Sequence, residues 1–450
     1  MLTTPQLAGA RLILPSRSAS TGFLASFLSH TQRLFLPLES IQVAMSEETP
    51  RSTLITTGTV AVKLRSDWSD EENKPLVILL AGPTGSGKSS FIEALGNDKA
   101  LGISKNQLDG FTQTVTAYHV KNMWVTGPYR TAPVCLLDSP GFSDTNISEM
   151  EIMEHVKRWM EKLRTTVHII LYFCPINGTR IPGTQRRSID MLKSLIRRTV
   201  NQEGTFSVVT TMWDQVCNGR LQKRADDNLS YIEETLFKDM IEGGTSLTTF
   251  TNTHESAVTI LDSCVKHSNK SDFSATNIVQ LGRRKLCITP HGQQLYSDLL
   301  DRIEEAWVGK SALESNLAQT DSAQDPELNA LLQNQLQETI HILDKFALQL
   351  AGFGLAPEGM QGLQGDLAEY FIRQYGQHQL YAAVLGPLED KWHEKLFLER
   401  QLAIPFTNHV PNYKSRVEDS LRKATHQLPN LAKQLVEFGP ASGWLVRSSS

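Results

Sequence analysis

Residues Gly82-Pro83-Thr84-Gly85-Ser86-Gly87-Lys88-Ser89 spell G-x-x-x-x-G-K-[ST] directly after the apolar run Leu76–Ala81. No other feature of the chain limits its fold so tightly. Glycines at these positions let the backbone turn so that successive N–H groups face inward and form an anion nest. A helix opening on such a loop adds its N-terminal dipole. The lysine reaches β and γ phosphates as a point charge. The hydroxyl that follows is a ligand for Mg²⁺, which takes hard oxygen donors. Gly82 to Ser89, with Ser90 behind it, is therefore a cradle for the phosphates of a nucleoside triphosphate, with Ser89 on the metal.

The run Leu76–Ala81 is continuous rather than alternating, as in a parallel strand covered on both faces. Further strands are expected at Val134–Leu137, Val167–Phe173, Phe206–Thr211 and Leu247–Phe250. Helical patterns lie between them at Ser90–Leu95, Ser148–Leu163, Gln185–Val200, Asp227–Ile241 and Ser256–His267. Alternation of this kind predicts an α/β fold, a mainly parallel sheet flanked by helices. The expected extent is residues 76–270, preceded by a linker or first strand at 51–75.

A second constellation follows the strand that starts at Val134. It ends in Asp138-Ser139-Pro140-Gly141. An acid at the carboxyl end of a neighbouring strand is placed to hold Mg²⁺ through water. In the D-x-x-G form the Gly141 N–H meets a γ-phosphate, so the following loop senses its presence. Between the two motifs, a threonine is needed to complete the metal shell. Thr112, Thr114 and Thr116 all qualify by spacing, although Thr114 and Thr116 alternate with Val115 as residues of a strand do.

These residues together resemble the translation-factor-related GTPases, and most of all the septin-like group with its AIG-type members and fungal proteins carrying this G domain. The resemblance rests on Gly82–Ser89, on Leu108 to Gln113 (L-x-x-x-T-Q), on Asp138–Thr145 (DSPGFSDT), on Ile176 to Ile181, and on Thr210–Asp214 (TTMWD). It implies GTP and GDP as ligands with Mg²⁺, and it selects Thr112 as the switch threonine. It implies that Thr211 and Asp214 stand where N/T-K-x-D reads the base, Asp214 accepting from guanine N1 and N2. Met212 replaces the lysine that packs on the purine, so Met212 or Trp213 takes that face, and an ATPase on the same scaffold stays open. Ser256-Ala257 resembles the last guanine-contact motif. Pairing of two copies through the G domain is also implied.

Many relatives carry a water-orienting glutamine just after the D-x-x-G glycine; here that position is Phe142. Hydrolysis is then slow and dependent on a second subunit, or served by Asp144 or the Arg180 region, or negligible in a nucleotide-dependent scaffold.

Beyond residue 290 the pattern becomes helical to the end, a region set at 290–450. Asp325-Pro326-Glu327 reads as an N-cap followed by proline at the first helical position. Leu328, Leu332, Leu336, Ile340, Leu343, Ala347 and Leu350 then form one apolar stripe, which suits an intramolecular bundle or a coiled-coil, partner-binding helix. A glycine-rich loop (Gly352 to Gly365) follows.

A formal net charge of −4 predicts no broad affinity for nucleic acid, and no apolar run is long enough to span a membrane. The five cysteines and twelve histidines show no zinc spacing, and widely spaced cysteines fit a reducing compartment. A cytoplasmic site is expected. Residues 1–38 contain three Arg and no Asp or Glu, so residues 1–50 read as a disordered leader or a mitochondrial transit segment, with Met45 as an alternative start.

Overall fold

The computed structural model describes residues 52–66, 68, 74–103, 114–127, 131–142, 144–163, 165–178, 183–196, 206–267, 289–319, 325–402 and 411–437. A seven-stranded sheet runs in the order β1 (Thr53–Leu64), β3 (Thr116–Thr126), β4 (Thr131–Asp138), β2 (Leu76–Ala81), β5 (Ile169–Pro175), β6 (Phe206–Thr211), β7 (Ser246–Thr249). Along that order, neighbours from β4 to β7 pair in parallel, while β1–β3 and β3–β4 are antiparallel. Strand β2 lies centrally with every residue buried, as its unbroken apolar sequence requires.

Only the start of strand β3, at Thr116, showed in the sequence pattern; the rest was hidden. Its period of two is broken at Lys121–Asn122, where the register with both neighbours shifts and Asn122 adopts a φ of 62°. A bulge of this kind moves later side chains to the other face and erases the alternation. The helix expected over Asp227–Ile241 is also different. Helix α4 (Gly219–Tyr231) starts at Gly219 because the Asn218 side chain caps it, accepting from the Leu221 N–H at 3.0 Å. A π-helical turn at Ile232–Leu236 then separates it from the short α5 (Lys238–Glu242).

The two faces of the sheet are covered differently. On one, α1 (Lys88–Gly96) and α6 (His254–His267) close a core around Phe91, Phe173 and Phe250, whose rings meet edge to face at 5.3 Å. On the other, α2 (Glu149–Leu163) and α3 (Gly183–Ile196) cover the sheet. That core continues without a break into α7 (Pro290–Gln319), α8 (Pro326–Phe353) and α9 (Gly365–Leu402) through Leu299, Ile303, Phe346, Leu350 and Phe371. Helix α10 (Pro411–Glu437) pairs with α9.

Helix α8 begins as its sequence demands: the Asp325 carboxylate accepts from the Leu328 N–H at 2.9 Å and Pro326 occupies the first turn. The apolar stripe is only partly used. Leu343, Ala347 and Leu350 are buried, Leu332, Leu336 and Ile340 are half-buried, and Leu328 is exposed. The buried half packs within the chain, against α7 and the sheet-covering layer. Among the described residues no helix is long and apolar enough to cross a membrane.

Candidate nucleotide site

The parallel register that sets Leu80 opposite Asp138 brings the ends of β2 and β4 together, and with them the two motifs. The Ser139 hydroxyl fixes that junction by donating to the Leu80 carbonyl at 2.7 Å. Gly82 opens the loop with φ 142°, and a Cβ there would lie 2.5 Å from the Phe173 carbonyl oxygen. Only glycine fits that approach.

Lys88 folds back over the loop. Its ammonium donates to the carbonyls of Gly82 and Pro83, both at 3.0 Å. Burial pulls its pKa down to about 8, against the opposing pull of Asp138 and Asp144. The Ser89 hydroxyl stands 3.3 Å from an Asp138 carboxylate oxygen, and Asp138 is buried. Two hard oxygen donors, one anionic, thus meet at the mouth of the loop. That donor set fits Mg²⁺. Ser90 is half-buried in the next position, and Ser86 is buried with its carbonyl taken by the Thr211 hydroxyl at 2.8 Å. Thr211 therefore braces the phosphate loop from the strand that carries the base motif.

Past Asp138 the chain presses onto the loop. The Phe142 N–H donates to the Gly82 carbonyl at 3.0 Å, and the phenyl ring is buried in the core. A Cβ on Gly141 would lie 2.0 Å from the Thr84 hydroxyl oxygen and 2.3 Å from its backbone nitrogen. No larger residue fits between those two motifs. The Thr84 hydroxyl donates to Asp144 at 3.0 Å. Asp144, not Phe142, is thus the polar side chain beside the phosphate loop.

The base motif borders a cavity of about 700 Å³ lined by Gly87, Thr211, Met212, Asp214, Asn252 and His254, among others. Met212 takes a left-handed turn, φ 64°, and its sulfur accepts from Gln215 Nε2 at 3.1 Å. Trp213 does not line the cavity: its indole N–H donates to the Thr210 hydroxyl at 3.0 Å and its ring packs on the core. Of these two residues, Met212 is the one that lines the cavity. Asp214 is exposed, and its carboxylate accepts from Asn252 Nδ2 at 3.5 Å.

Asn252 was not legible as a site residue. Its one signal is a left-handed φ of 59° in the turn before α6, which asparagine tolerates and sequence does not report. Ser256 lies in the first turn of α6. Its hydroxyl accepts from the Thr251 and Thr253 N–H groups, both at 3.3 Å, and its own N–H donates to the Thr253 hydroxyl. It organises the turn that presents Asn252. Thr112 and Arg180 lie outside the described residues, while Thr114 precedes β3 and Thr116 begins it.

Residues 77–210 match the family model described as 50S ribosome-binding GTPase. This stretch is a P-loop GTPase domain. The match supports guanine-nucleotide binding and ends at Thr210, so Asp214, Asn252 and helices α6 to α10 lie beyond it. A search of the curated proteins found no match.

Proposed function

We propose that the chain is a Mg²⁺-dependent guanine-nucleotide switch with slow intrinsic hydrolysis, of the septin-like, AIG-type kind. The observation that carries this is the meeting of Lys88, Ser89 and Asp138 at the ends of β2 and β4. Lys88 and the loop's N–H groups hold the phosphates, and Ser89 and Asp138 hold the metal, with Thr112 completing its shell. Mg²⁺ would neutralise charge on the β and γ oxygens. The Gly141 N–H meets the γ-phosphate. Asp214 reads guanine, Met212 covers the base, and Ser256 sets the turn behind it. The nucleotide domain spans 76–270 and the helical region 290–450; the latter reports the nucleotide state. A cytoplasmic site fits best, with the mitochondrion as the alternative if residues 1–38 act as a transit segment.

Slow turnover follows from the side chain at position 142, which is buried in the core and presents nothing to a water. The same fact supports a second reading: a GTP-dependent scaffold without turnover, in which nucleotide drives pairing of two copies or binding of a protein partner to the C-terminal helices. Single-turnover phosphate release separates the two. Release that rises with protein concentration is expected for the switch; none above the buffer rate at any concentration leaves the scaffold. Competition of ATP against a fluorescent GTP analogue tests the base preference, and displacement by ATP at equal concentration would overturn guanine selectivity and favour the ATPase reading.

A further inference from the structure

The loop after Gly141 is held from two sides. On the nucleotide side, Thr84 donates to the Asp144 carboxylate at 3.0 Å, and the other Asp144 oxygen accepts from the Asn146 N–H at 2.9 Å. On the far side, α7 and α8 reach it with charged side chains. Arg302 Nη1 donates to the Asp144 carbonyl at 2.5 Å and to the Thr145 carbonyl at 3.5 Å. The same guanidinium bonds Glu149 at 2.9 Å through Nη2 and both Asp298 oxygens at 2.9 Å through Nε. Lys345 donates to the Asn146 carbonyl and pairs with Glu151, both at 2.8 Å. Gln349 accepts from the Ser148 hydroxyl at 2.5 Å and donates to Glu151 at 3.1 Å. Residues 144–151, the loop and the first turn of α2, are therefore bonded along their length to two helices about 150 to 200 residues further on.

Packing alone does not require this. The apolar core around Leu299, Ile303, Phe346 and Leu350 already joins the helices to the sheet. Withdrawing an arginine and two carboxylates from water beside that core adds little net stability compared with apolar residues of the same size. What the network adds is position. Arg302 is 11% exposed, and its planar fork fixes both carboxylates and two carbonyls of the loop itself. The loop it fixes is pressed against Thr84, with Gly141 in direct contact.

We propose that Arg302, assisted by Lys345, is a positioning residue: it latches the loop at 144–148 and the start of α2 against Thr84, so that loading of a γ-phosphate and docking of α7 and α8 oppose each other. The inference rests on the nucleotide-switch reading above. For the Gly141 N–H to face a γ-phosphate, the loop has to rise off Thr84. That motion breaks the Thr84–Asp144 hydrogen bond and draws the Asp144 and Thr145 carbonyls away from Arg302. The latched arrangement suits a diphosphate. Weakening the latch therefore raises preference for the triphosphate.

The test uses the full chain with GDP and with a GTP analogue that resists hydrolysis. Affinities of both are measured for the wild type, Arg302→Gln, Arg302→Lys and Lys345→Ala. The ratio of analogue to GDP affinity is expected to rise by at least about fivefold in Arg302→Gln, the lower end of typical coupling between sites. Arg302→Lys, which keeps the charge but not the fork, falls between that variant and the wild type. Lys345→Ala moves the ratio the same way by less. It removes a partly exposed side chain, so it answers the question even if the Arg302 variants do not fold. Hydrogen exchange over residues 144–151 is expected to be faster with analogue than with GDP in the wild type, and equally fast with both in Arg302→Gln. Two failures are distinct. If the wild type binds both nucleotides alike with equal exchange, the switch reading fails and the latch with it. If the wild type discriminates and the folded variants keep its ratio, or lower it, the latch alone is overturned, even where melting temperature falls.

Discussion

The two ends of the proposed nucleotide site, the phosphate end at Lys88 and the base end at Asp214, are built on opposite plans. At the phosphate end, Lys88, Asp138 and Phe142 are buried, Gly141 touches Thr84, and the loop beyond runs into a charged network on α7 and α8. At the base end, Asp214 is exposed, its one described side-chain contact to Asn252 is 3.5 Å long, and a cavity of about 700 Å³ stands open. A nucleotide gains its affinity and its state-dependent contacts where the walls are preorganised and water is excluded. The open end is suited to selecting the base. Changes at the first end should alter whether and how the nucleotide is held; changes at the second should alter which nucleotide is held.

The largest effect is expected from Lys88→Ala. Losing a charge-assisted contact to two phosphates weakens triphosphate binding by about two to three orders of magnitude, since each such bond contributes about 1.5–3 kcal/mol. Titration with a fluorescent analogue measures it, and unchanged affinity would remove the phosphate loop from the site. Asp214→Asn should cost guanine affinity about 10- to 100-fold and improve xanthine binding in step. If guanine binding is untouched, the open end does not read the base through Asp214.

Gly141→Ala acts on the closed end alone. Its methyl would sit 2.0 Å from the Thr84 hydroxyl oxygen, so the two motifs must part. GDP affinity should change little, while single-turnover hydrolysis falls by about tenfold or more, consistent with a misplaced contact to the reacting phosphate. An equal loss in GDP binding would mean that the contact shapes the whole loop rather than its γ-phosphate side.

Two pH effects are smaller. Burial holds the Lys88 pKa at about 8, and a bound anion favours the charged form, so triphosphate affinity should fall as pH rises through about 8. Asp298 shifts the other way. Burial, with the neighbouring Glu149 charge, raises its carboxyl to about 8 despite Arg302. The folded carboxyl then keeps a proton that the unfolded one releases near its ordinary value of 3.8. Its contribution to stability is complete below the unfolded value of 3.8, declines as pH rises from there, and is gone above about 8. From this group melting temperature should drop by a few degrees as pH rises from about 4 to about 8 and level off above, and Asp298→Asn should flatten that slope.

The legible parts of the molecule were those set by local chemistry. Gly82–Ser89 needs its glycines for backbone conformation alone, and Leu76–Ala81 needs an apolar residue at every position because both faces are covered. The Asp325-Pro326 helix start likewise depends on neighbours in sequence. Strand β3 was legible only at its start, because a single bulge at Asn122 broke the alternation that marks a strand. The roles of Met212 and Trp213 were also undetermined: both can cover a purine, and only the left-handed turn at Met212 sends one to the cavity and the other to the core.

The sequence by itself determined which loop is proposed to hold phosphates, because an anion nest is made from consecutive backbone groups. Only the tertiary structure decided what holds the loop after Gly141. Arg302, Lys345 and Gln349 look like ordinary solvent-facing residues of two long helices. They become partners of residues 144–151 only because the core shared by the sheet and α7 and α8 sets those helices against the loop. Nothing in their own neighbourhood along the chain records that contact.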